Sequence, residues 1–169
     1  MTRAADPAPV EHVVSLLRER LYGAISCLAT LAVLLRYTDG DTSALARILD
    51  VVVATGGLWA ASLLADWLAH LGVYGRAPRG AEALRILQSS GQIAEAALLP
   101  LVVLAVAAFG VIRTYTATWI AMWVLVAELG VIALLAVRRT QLPWWQKLFT
   151  VAGLVWVGVV VLGVKILAH

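Results

Sequence analysis

Apolar residues run through this chain in five long blocks separated by short polar interruptions. The block lengths suit membrane-crossing helices, because about 20 apolar residues at a rise of 1.5 Å cross a hydrocarbon core of about 30 Å. The pattern predicts spans at 21–37, 48–73, 91–112, 119–137 and 148–167. Ahead of the first, residues 11–20 (EHVVSLLRER) set Val13, Leu16 and Leu17 against Arg18, Glu19 and Arg20. That is the pattern of an amphipathic helix at a membrane surface, running directly into the span. A second interfacial helix is predicted over residues 81–88, with Glu82 and Arg85 at i, i+3.

The interruptions carry their own signals. Asp39-Gly40 marks a turn, and Thr42 or Ser43 can cap the helix that follows. Gly75, Pro78 and Gly80 make a loop between the second and third blocks. The polar patch Ser89-Ser90-Gly91-Gln92 predicts a break or the point of membrane entry, and Pro100 a kink inside the third span. Residues 113–118 (RTYTAT) read as a polar turn, and residues 138–143 end the fourth span. Trp119 and Trp123 form one interfacial belt, and Trp144, Trp145 and Lys147 another. Residues 1–10, rich in Ala and Pro, read as a disordered tail. Residues 11–169 then form one all-α transmembrane domain. Gly56, Gly57, Ala60 and Ala61 give the second span a small-residue surface for close helix packing.

Composition agrees with the pattern. The chain has 169 residues, 62% hydrophobic and only 14% charged, with a mean hydropathy of +0.91. Too little charge is present to clothe a soluble domain, and five spans leave no length for one. The net charge of +3 does not imply nucleic acid as a partner, because no basic stripe interleaved with aromatics is present. Most basic residues instead flank the apolar blocks, with the lipid bilayer as the partner. With the N-terminus inside, nine basic residues lie on the inner side and four on the outer, so the expected orientation is N-in/C-out. No cleavable leader is expected, the first block reading as an uncleaved span. Cys27 is the one cysteine, which excludes an intrachain disulfide and a cysteine-based metal site.

The candidate chemistry lies in polar residues within or beside these blocks. Asp66 and His70 sit one helical turn apart on the second span. Arg18 and Tyr22 on the first, continuing a four-residue stripe with Ser26 and Thr30, lie at a similar distance from the inner surface. Gln92 and Glu95 on the third do so too. An Asp or Arg at a helix centre costs about 2.5–3.5 kcal/mol on insertion scales, so these six should face the bundle and one another. They form either an Arg18–Asp66 or Arg18–Glu95 ion pair that sets helix register, or a proton or cation relay. In the relay, Asp66 and Glu95 carry charge and His70 exchanges protons. Glu128 falls near the middle of the fourth span with no basic residue expected at its depth. As a protonated acid donating to a carbonyl or to Thr30, Ser62 or Thr55 it is structural; as a titrating one it is a transport site. Arg47 and Asp50 at i, i+3 can pair near the opposite surface. No metal and no cofactor are expected: Asp66 and His70 at i, i+4 are too few for a closed site. Phosphate-loop and nucleophile-elbow motifs are absent from the sequence.

RERLYGAI, DWLAHLGVYGR, QIAEAALLPLVVL and the terminal VVVLGVKILAH resemble a group of small actinobacterial-type integral membrane proteins with no known activity. The matching positions are Arg18 or Arg20 with Tyr22 and Gly23, Trp67 to His70, Glu95 to Pro100, and Lys165 with His169; Leu99 stands where the group has proline. The resemblance implies architecture only. A fainter similarity to the first span of bacterial lysosomal-type potassium channels fails at its diagnostic Phe-Ser-Asp, where this chain reads Leu21-Tyr22-Gly23.

These readings lead to a multi-pass protein of the bacterial inner membrane. The expected function is a small ion- or proton-coupled transporter or channel-like subunit, working as a homo-oligomer. The alternative is a non-catalytic accessory or scaffold protein packed against a larger membrane partner. An enzyme acting on lipid comes third, since neither a nucleophile nor a metal set is visible.

Overall fold

A computed structural model of the chain describes residues 7–37, 42–138 and 143–167, and every regular element among them is an α-helix. There are six: α1 (Pro7–Tyr37), α2 (Ala44–Tyr74), α3 (Ala81–Ala96), α4 (Leu98–Ala108), α5 (Thr114–Arg138) and α6 (Trp144–Leu167). Among the described residues three helices are long and apolar enough to cross a membrane: Ala44–Tyr74, Ala81–Ala108 (α3 and α4 together) and Thr114–Val137.

The helix ends follow local chemistry. Ser43 accepts from the amide of Ala46 at 3.2 Å and caps α2, as its position predicts. Gly75 closes α2 in the left-handed region (φ 64°) and donates to the Leu71 carbonyl at 2.9 Å. A side chain there would strain the turn. The expected turn at Asp39-Gly40 lies outside the described residues.

Four expectations are revised. The break in the Ala81–Ala108 segment falls at Ala97 and not at Ser89-Ser90-Gly91-Gln92, which is continuous helix. Pro100 is the cause: it has no amide for the carbonyl of Ala96, and the chain tightens so that Ala97 donates to Ala94 at 3.1 Å. Residues 81–88 are thus the first turns of a 16-residue helix, not a separate interfacial piece. α1 is likewise one helix from Pro7, so residues 7–10, expected in the tail, are helical; residues 1–6 lie outside the description. α5 begins at Thr114, which turns most of the predicted RTYTAT turn into helix and buries Ala117 and Thr118.

α1 is the hub, packing against α2, α3, α5 and α6. Its Ala24, Cys27, Leu28, Leu31 and Ala32 meet Ala117, Ala121, Met122, Leu125 and Leu129 of α5 in the core. Gly23 sets the α1–α3 crossing: a Cβ there would lie 2.7 Å from both Cα and the carbonyl oxygen of Ile93. Only glycine lets the two backbones come this close, and the contact carries the polar residues one turn away into range of each other.

Candidate functional site

Polar groups from α1, α2, α3 and α5 gather beside the Gly23 crossing in two paired centres and one open cleft. In the first centre Arg20 of α1 meets Glu128 of α5. Its Nε and NH2 both lie 2.9 Å from Glu128 Oε1, and its NH1 lies 3.7 Å from Glu95 Oε2 on α3. The Glu128 side chain is 8% exposed, and its Oε2 is buried without a hydrogen-bond partner among the described residues. Glu95 also accepts from Gln92 Nε2 at 2.9 Å. One guanidinium thus ties three helices together.

The second centre is Glu19, buried on the face of α1 toward α2. It accepts from Arg18 NH2 at 2.9 Å and from Ser62 Oγ of α2 at 2.9 Å. Arg18, Glu19, Tyr22 and Ser62 line a recess of about 370 Å³, and Tyr22 itself is largely exposed.

The third feature is a cleft of about 510 Å³ between α1, α2 and α3, lined by His12 and Ser15, by Asp66 and His70, and by Arg85 and Ser89. Ser15 and Ser89 hydrogen-bond to each other across it. Asp66 makes no hydrogen bond or ion pair among the described residues. His70 stacks on Tyr74 with centroids 4.5 Å apart, and its Nε2 lies 3.5 Å from Glu82 Oε2. Glu82 is held by two hydrogen bonds of 2.7 Å from Arg76, so the loop after α2 is clasped to the start of α3.

The six residues expected to converge are therefore divided. Asp66 and His70 share the open cleft, Arg18 and Tyr22 the recess, and Gln92 and Glu95 a smaller groove beside α1. Neither expected Arg18 pair forms, because Glu19, its neighbour in sequence, takes the guanidinium. Glu128 does have a basic partner: α1 continues unbroken past the charged triplet, and Arg20 projects toward α5. None of its suggested hydroxyl partners bonds it: Thr30 donates to the Ser26 carbonyl, Thr55 to the Val51 carbonyl and Ser62 to Glu19. Arg47 does not pair with Asp50. It is 1% exposed and donates to Thr118 Oγ1 of α5 at 2.8 Å, while Asp50 is exposed.

Sequence reasoning left Glu19 and Arg20 on the surface side of the first helix and offered Ser62 to Glu128, whereas it bonds Glu19. One signal for Ser62 was available: with Asp66, His70 and Tyr74 it repeats every fourth residue on α2, a single polar stripe. Among the described residues no group of three or more His, Cys, Asp or Glu side chains is arranged to hold a metal ion. Comparison of the chain with protein-family models, with curated proteins and with solved structures finds no match.

Proposed function

We propose that the chain is a five-span protein of the bacterial inner membrane, N-in/C-out, acting as a small ion- or proton-coupled transport subunit. In this reading α1 and α6 add the first and last spans to the three strongly apolar ones, and the loops keep the excess of basic residues inside. The observation that carries the reading is a line of polar groups leading from the cleft into the bundle. His70, Asp66 and Ser62 descend α2 one turn at a time, and Ser62 donates to Glu19 on α1. Beside Glu19, Arg20 holds Glu128 and Glu95. Ionisable groups inside a membrane are costly and mark ion or proton paths by default. Reconstitution in liposomes with an internal pH-sensitive dye tests the proposal: an imposed ion gradient should move protons, and Asp66→Asn should abolish the movement while leaving the protein folded. Absence of flux under every gradient would reject it.

A second reading, an accessory protein or homo-oligomer, is favoured by α2. Gly57, Ala60 and Ala61 are exposed on this helix among Val53, Leu64 and Leu68, a surface on which another helix can pack closely. Ala60→Cys, oxidised in native membranes, should cross-link to a second copy or to a larger partner if this face is an interface.

A further inference from the structure

The cleft between α1, α2 and α3 has two layers of opposite character. α2 and α3 are joined by a short turn, so position along each helix measures depth from it. Asp66 lies four residues farther from the turn than His70, about 6 Å at 1.5 Å per residue. Ser89 lies four residues deeper than Arg85, and Ser15, bonded to Ser89, lies deeper than His12 on α1. The mouth is therefore His12, His70 and Arg85, and the floor is Asp66 with two hydroxyls.

The floor carboxylate is uncommitted. Arg18, the cation of the neighbouring recess, is taken by Glu19 at 2.9 Å. Beside the mouth the acid Glu82, 3.5 Å from His70 Nε2, is held by its two Arg76 hydrogen bonds, which leaves the Arg85 guanidinium as the cation lining the cleft. A simple amine would reach Asp66 only past a basic mouth, and a simple anion held at the mouth would face Asp66 below it. A molecule carrying both charges meets both layers at once.

The geometry points to a binding site for a small free zwitterion, a primary ammonium joined to a carboxylate or phosphate. The ammonium sits on Asp66 and the anionic group lies at Arg85 between the imidazoles. Ethanolamine phospholipids carry the same two charges in the wrong order. In a bilayer their phosphate lies on the acyl side and their ammonium toward water, whereas this cleft places its acid deepest. The inference deepens the transport reading by naming its solute class and rests on the cleft being the entrance, although binding is measurable without flux.

The test is thermal unfolding and calorimetry of the full chain in detergent with glycine and phosphoethanolamine, against ethanolamine, acetate and inorganic phosphate. At least one zwitterion should raise the melting temperature saturably, while the singly functional compounds do nothing at ten times its concentration. Asp66→Asn and Arg85→Gln should each weaken binding at least tenfold; Arg85 is exposed, so its variant reports even if the other fails to fold. Failure of both zwitterions, equal stabilisation by ethanolamine or phosphate alone, or unchanged binding in Arg85→Gln would overturn the site. Selective retention of phosphatidylethanolamine over phosphatidylcholine in nanodiscs, lost in Asp66→Asn, would assign the cleft to lipid and overturn the free-solute form. Zwitterion binding without flux would sink transport and leave the site standing; flux without binding would do the reverse.

Discussion

α1 and α2 are equally long, 31 residues each, and they take opposite places in the molecule. α1 carries Arg18, Glu19 and Arg20 in succession and sits at the centre, in contact with four other helices. α2 is far more apolar, yet only Ala44, Arg47, Val51 and Thr55 are buried along its whole length. In water the ranking would be reversed. Lipid is as apolar as a protein interior, so hydrophobicity does not drive a helix inward here; close packing of small residues and pairing of polar groups do. α1 has both, through Gly23, Ala24 and Cys27 on one side and Glu19 and Arg20 on others.

The contrast can be broken most forcefully at Glu128. Glu128→Ala leaves Arg20 part-buried with, among the described residues, only the 3.7 Å contact to Glu95. Breaking one side of a buried ion pair costs about 3–5 kcal/mol, so thermal unfolding in detergent should drop sharply. Replacing Arg20 and Glu128 together by leucine should recover much of that loss. A full recovery would mean the pair sets specificity more than stability.

Paired leucines sharpen the comparison. Leu28→Ala on α1 opens a cavity at a fully buried site and should cost about 2–5 kcal/mol. Leu68→Ala on α2, where the side chain is 60% exposed, should change stability by less than about 0.5 kcal/mol. Similar losses in both would show that α2 is covered by another chain in the sample.

Gly23→Ala probes the crossing itself. The added methyl meets the Ile93 backbone, which cannot swing aside as a side chain would, and the expected loss is about 1–3 kcal/mol. Because the helices must part, the Arg20–Glu95 contact should lengthen, and a cross-link between cysteines placed at positions 20 and 95 should slow.

The smallest expected change in stability is at Asp66. Asp66→Asn removes no hydrogen bond among the described residues, so unfolding should shift by less than about 0.5 kcal/mol. Its expected effect, if the proposed transport and binding roles hold, is on flux and zwitterion binding. A large destabilisation would make Asp66 a structural partner of α1 and shift the functional reading toward scaffolding.

Much of the architecture was legible in the residues. Long apolar blocks dictate helices because lipid offers no partner for free backbone groups, and three of the helices have the length and apolarity to cross. The Ser43 cap and the Gly75 stop are local, each decided within one turn of chain. Pro100 announced a break by lacking an amide, and only its exact neighbour awaited the structure. Which residues pair was not legible. Arg18, Glu19 and Arg20 are consecutive, but successive residues on a helix point about 100° apart. They therefore serve three surroundings: Arg18 stays local, Glu19 turns to Ser62 of α2, and Arg20 turns to α5. In a soluble bundle an apolar stripe would have shown which face of α1 lies inward; in lipid both faces are apolar and the stripe vanishes. The sequence alone determined that this chain is helical and membrane-embedded, since that depends only on apolar length. Tertiary structure decided which helix stands at the centre and which charges meet, because those follow from which faces of α1 pack on α2, α3 and α5 and not from any local run of residues.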